Sequence, residues 1–154
     1  MTDADLTRAL ERGEVSADGF HHVSHLHVAW QYLSESLSVL EAAAKMRNTL
    51  RALAAAAGKP DKYHDTITLF WIHLLAFFHR RAVVDAKTLE DVVHANPQLL
   101  EKNFVLVYYS RERLFSDAAR ASWLEPDLRP LSFNAATFCS SDSPGHAPDR
   151  SLPR

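Results

Sequence analysis

Tyr63-His64-Asp65-Thr66-Ile67-Thr68-Leu69-Phe70-Trp71-Ile72-His73-Leu74-Leu75-Ala76-Phe77-Phe78 is the stretch that decides the fold. At 3.6 residues per turn its apolar side chains point in almost every direction, so a helix here has no face to give to water and belongs at the centre of a bundle. On that projection His64, Thr68, Trp71, Leu75 and Phe78 share one face, and His73 lies opposite His64. The turn cluster Gly58-Lys59-Pro60-Asp61 precedes the run and separates it from the next element upstream.

That upstream element is also expected to be a helix. Ser38 and Glu41 stand at capping-box spacing, and Val39 to Ala57 is rich in Ala, Leu, Lys and Arg until Gly58 supplies the residue that favours a helix end. The small residues Ala42, Ala43, Ala44, Ala54, Ala55, Ala56 and Ala57 serve either close helix contact or helix propensity alone. Earlier still, residues 20 to 36 read as a helix entered through the turn Ser16-Ala17-Asp18-Gly19. Residues 3 to 12 read as a shorter helix, with Leu6 and Leu10 one turn apart and Gly13 as its stop.

Downstream, Asp85 to Asp91 reads as a cap and first turn of a helix that ends near Asn96, because Pro97 disfavours the α conformation in the residue before it. Pro97 itself suits the first position of a short helix reaching Lys102. The run Asn103 to Tyr109 has strand-like content, but with no second strand to pair with it is expected to be helical. Ser116 and Asp117 start a helix through about Trp123, after which Pro126 and Pro130 end regular structure. From Asn134 to Arg154 Ser, Asp, Pro, Gly and Arg dominate, which predicts a disordered tail. The expected architecture is all-α: one helical domain over residues 1 to 133, an irregular bundle of five to seven helices.

Composition narrows the function. A 47% hydrophobic and 23% charged chain is globular, and its charge of −2, with both signs interspersed, leaves no footprint for nucleic acid or anionic lipid. Only 4 glycines leave little room for a phosphate-cradling loop. The single cysteine, Cys139, falls in the tail, so a bound metal would rest on nitrogen and oxygen donors. The start MTDADLTRALERGEV lacks the basic and apolar segments of a signal peptide, and no uninterrupted apolar run reaches membrane-spanning length. A cytoplasmic protein without membrane or nucleic-acid partners is expected.

The chemistry is concentrated in histidine, 9 residues in all, four of them within Phe20-His21-His22-Val23-Ser24-His25-Leu26-His27-Val28-Ala29-Trp30. As a helix, this run puts His22, His25, Leu26, Ala29 and Leu33 within one arc of roughly 100°. His21 flanks the arc, and His27 is expected to point away into solvent. An imidazole turned into a core needs a partner, since an unpaired buried polar group costs about 1 to 3 kcal/mol. Backbone carbonyls, carboxylates, water or a metal ion would each meet that need.

Three segments, Phe20-x-His22-x-x-His25-Leu26, Lys62-Tyr63-His64-x-Thr66 and Tyr108-Tyr109-Ser110, continue into Leu114, Ser116, Ala119, Trp123, Pro126 and Asp127. Together they resemble a family of short bacterial all-helical proteins, over about residues 20 to 131. The resemblance implies a shared helical fold and at most a shared pocket; it carries no reaction with it. His22, His25 and His64 match its pattern, whereas His21, His27, His73, His79, His94 and His146 do not.

The expected site is therefore a mononuclear centre in which His22 and His25 of one helix meet His64 at the start of another. Three histidines with an open position are the arrangement of catalytic zinc, and imidazole suits iron, copper or nickel equally. Such a divalent transition metal would activate water, dioxygen or a substrate oxygen for work on a small molecule. Tyr63 and Tyr109 are expected to orient that substrate, with Tyr108, Ser110 and Arg111 beside them. Glu35, Glu41 and Asp65 are the carboxylates at hand, although Asp65 is rotated about 100° from His64 and Glu41 is better placed at its own helix cap. Metal-free acid–base chemistry by His22 or His25 is a second option, and no serine elbow supports a nucleophilic triad. The rival from another class is a non-enzymatic binding or scaffolding module whose histidines serve the structure.

Overall fold

The computed structural model describes residues 1–131; the predicted tail over 134–154, and residues 132 and 133 of the predicted domain, lie outside the described residues. Within them the chain is all-α, with α1 (Asp3–Glu11), α2 (His22–Glu35), α3 (Val39–Ala56), α4 (Asp65–Val84), α5 (Leu89–Ala95), α6 (Arg111–Leu114) and α7 (Asp117–Ala121). Short 3-10 helices at Ala17–Gly19, Pro60–Lys62, Pro97–Leu100 and Lys102–Val107 join them. The segment that looked like a strand, Asn103 to Tyr109, is thus mostly a tight helix. Its Phe104, Tyr108 and Tyr109 rings lie against Phe70 instead of pairing with another backbone.

Helix α4 is the axis of the bundle and packs on α2, α3, α5 and α7. From Thr68 to Ala76 every residue is buried, with Phe70, Ile72 and Leu75 fully out of water. The helix is long and apolar enough to cross a membrane, yet 56% of that apolar window is buried inside the protein. Around it the core is closed by Leu26, Val28 and Tyr32 of α2, Met46 of α3, Leu99 and Leu114. Of the seven alanines of the α3 region only Ala42 and Ala43 are buried. Close helix contact explains those two, and helix propensity explains the others.

Local chemistry sets the helix ends. Thr2 and Asp5 cap α1 reciprocally, as Thr88 and Asp91 cap α5. Asp85 is therefore the end of α4, and the start of α5 falls three residues later than Asp85-Ala86-Lys87 suggested. Ser38 caps α3 through the Glu41 amide, but the Glu41 carboxylate accepts from Leu37 N at 3.0 Å, one residue before the cap itself. The C-termini of α3 and α4 close in the same way: the Lys59 amide reaches back to Ala54 and the Lys87 amide to Ala82, with the preceding residue left-handed. At the first that residue is Gly58, φ 73°, and at the second it is Ala86, φ 54°.

Candidate functional site

Each of the three histidines expected to share a metal has a different backbone partner. His22 Nε2 donates to Leu99 O at 2.9 Å, and its ring meets Trp71 edge-on. His25 Nδ1 donates to His21 O, one turn back in its own helix, at 2.9 Å. His64 is not inside α4 but is its N-cap, with Nδ1 accepting from Ile67 N at 3.2 Å and Nε2 donating to Leu114 O at 2.6 Å. Both nitrogens of His64 are thereby used, which leaves no lone pair for a metal. Burial holds all three rings below the ordinary histidine pKa, so they are neutral donors to carbonyls. His22 is near enough to His25 to disfavour its protonation, after burial, whereas His64 sits by Leu114 and Phe115. Among the described residues, no group of three or more His, Cys, Asp or Glu side chains is placed to hold a metal ion.

The two tyrosines expected to orient a substrate have internal acceptors. Tyr63 Oη donates to Asp65 Oδ1 at 2.7 Å, and Tyr109 Oη donates to Leu124 O at 2.6 Å. Burial first, and neighbouring carboxylates after it, push both phenols above their usual pKa, away from acid–base duty near neutrality. Asp65 joins α4 to α3 through Arg47. Glu35 pairs with Arg8 of α1. Ser110 caps α6 and is held by Asp127, and Tyr108 packs in the aromatic cluster on Phe70.

Open to solvent, by contrast, is an apolar groove of about 410 Å³ between α2 and the α5 to Leu100 segment. Its floor is Leu26 and Leu89, both buried, and its walls are Val23, Val93, Pro97 and Leu100. Val23 and Leu100 are 46% and 45% exposed, large apolar side chains left half in water. His27, Glu90 and His94 complete the lining. His27, expected in solvent, instead bonds through Nδ1 to Asp3 Oδ1 at 2.8 Å, and its side chain is 25% exposed.

Sequence reasoning centred on His22, His25 and His64 missed this groove. One signal was present: α5 is 7 residues long yet offers Leu89, Val92 and Val93, followed at once by Pro97, Leu99 and Leu100. So short a helix cannot turn all of these inward. Compared with family models, curated proteins and solved structures, the chain gives no match.

Proposed function

We propose that this chain is a non-enzymatic helical binding module, and that its working surface is the groove between α2 and the α5 to Leu100 segment. The observation that carries the reading is the groove: half-exposed Val23 and Leu100 stand over a buried floor of Leu26 and Leu89. An exposed apolar concavity in an otherwise well-packed domain marks a place where another apolar surface docks. Its volume of about 410 Å³ falls within the roughly 300–1,000 Å³ range of ligand pockets. Because the groove is open along its side, with a helix on one wall, it suits the apolar face of a partner's amphipathic helix.

The histidines and tyrosines support the same reading. His64 uses both ring nitrogens internally, His22 and His25 each give one to a backbone carbonyl, and Tyr63 and Tyr109 donate to Asp65 and Leu124. His22, His64 and Tyr109 tie their segments to backbone distant in the chain, whereas His25 and Tyr63 bond within about one turn of themselves.

Titrating the labelled protein with leucine-rich amphipathic model peptides, followed by amide NMR, tests this. Shifts should cluster on Val23, Leu26, Val93 and Leu100, and Val93→Glu should weaken binding at least about tenfold, as expected for a charge placed where apolar contact is made. No peptide binding, or shifts centred elsewhere, would overturn the reading.

A further inference from the structure

We propose that the last two turns of α4 are a dimerisation surface, on which two copies of this chain meet antiparallel about a two-fold axis level with Val83. None of the residues that line the α2–α5 groove belongs to this surface, and the proposal stands whether or not a partner helix fills that groove.

Continuous burial along α4 stops at Ala76. Beyond it Phe77, Arg80, Arg81, Val83 and Val84 are exposed, and of this end of the helix only Ala82 is buried. Val84 is 79% exposed, and Leu37, in the turn between α2 and α3, is 98% exposed. That turn lies at the same end of the bundle, because Ser34 Oγ meets His79 Nε2 at 3.0 Å three residues before Leu37. Leu40, at the start of α3, is also half in water. Apolar side chains exposed singly need no explanation, but several gathered at one end of a domain mark a place that another surface covers.

Charge selects the occupant. Arg81 Nε donates to Asp85 Oδ2 at 3.1 Å, an exposed pair one turn apart that carries both signs side by side. A partner of a single sign attracts one member of the pair and repels the other. A second copy turned antiparallel attracts both. Arg81 and Asp85 stand two residues either side of Val83, so an axis at that level brings Arg81 of each copy opposite Asp85 of the other, and the four charges alternate around it. A two-fold contact joins one patch to itself, which is what such a self-complementary pair requires. Phe77, Arg81 and Val84 share one face of α4 at helical spacing, so the same approach sets Val84 close to its own copy beside the axis. Contact confined to a few side chains is at the small end of protein interfaces, and association is expected at roughly 100 µM and above.

The test is sedimentation equilibrium of the untagged full-length chain from about 10 µM to 1 mM. The mass should rise with concentration from the 17.3 kDa of one chain toward twice that value. Val84→Asp should weaken association at least about tenfold by placing a charge beside the axis. Arg81→Asp should do the same at least about tenfold, because it sets four carboxylates around the axis. The exchange Arg81→Asp with Asp85→Arg restores the alternation and should return affinity to within about threefold of the original. All three positions are exposed, and unfolding temperature checks the fold of each variant. Val93→Glu should leave dimerisation unchanged while removing peptide binding, so the two proposals fail separately. A single-chain mass throughout, association that survives Val84→Asp, or an exchange variant that fails to recover it would overturn the dimer. Arg80 adds a positive charge to the same end, so Val84-dependent binding to phosphatidylserine vesicles by a chain that stays monomeric would overturn it as well.

Discussion

Arg47 closes on Asp65 through two hydrogen bonds, Nε to Oδ1 at 2.9 Å and Nη2 to Oδ2 at 2.7 Å, and the carboxylate it grips is fully buried. Tyr63 donates to the same carboxylate, and Arg51, 3.6 Å from it, also lies over the Tyr63 ring. Taking a carboxylate out of water is costly unless its oxygens are bonded and its charge is met. Here both conditions hold, and the start of α4 is thereby fixed against α3.

Replacing Asp65 with Ala should cost about 2 to 4 kcal/mol in urea unfolding, somewhat under a wholly buried pair because the Arg47 side chain is 36% exposed. The interaction also depends on pH. Burial works to raise the Asp65 pKa, but the bonds from Arg47 and Tyr63 and the two arginine charges outweigh it, so the net shift is downward. A carboxyl that is more acidic folded than unfolded contributes fully above its unfolded pKa of about 3.9 and less as pH falls through the folded value. Asp65→Asn should therefore flatten the stability curve below about pH 4.

His73 should govern a different window. It is 5% exposed, and burial lowers its pKa to about 4. The unfolded chain, with a histidine pKa of about 6.5, then binds protons more readily than the folded one between those values. Stability should fall as pH drops from about 6.5 to 4, by up to about 3 kcal/mol for this residue, and His73→Leu should remove that part of the slope. Thermal unfolding at half-unit pH steps measures it.

His64→Ala should destabilise by about 2 to 3 kcal/mol, since the cap on the Ile67 amide and the donor to the Leu114 carbonyl go together. His64→Asn should recover about 1 kcal/mol of that by restoring the cap alone. Equal losses in the two variants would show that the cap contributes nothing.

Ala86→Gly should raise stability by about 0.5 to 1 kcal/mol, because Ala86 holds φ 54° at the end of α4 while Gly58 fills the equivalent place after α3. Chemical denaturation of the single variant decides it.

The α4 stretch was legible because an all-round apolar pattern leaves one arrangement, a helix in the centre of others. Caps at Ser38, Thr88 and Ser116 were legible to within a few residues, because they depend on chemistry three positions away. The roles of the histidines were not. Helical spacing correctly turned His22 and His25 toward the interior, but Leu99 O is 77 residues from His22 and Leu114 O is 50 residues from His64. No local pattern carries such pairings.

By itself, then, the sequence determined the five longer helices, their order and the burial of α4, though not α6, since periodicity, capping and propensity act within a few residues along the chain. The fold alone decided that Asp65 would meet Arg47, that His27 would stand between Asp3 and Glu90, and that α2 and α5 would leave a groove between them. Those outcomes depend on the angle and register at which helices far apart in sequence come to pack. That angle is set by many small side-chain contacts at once.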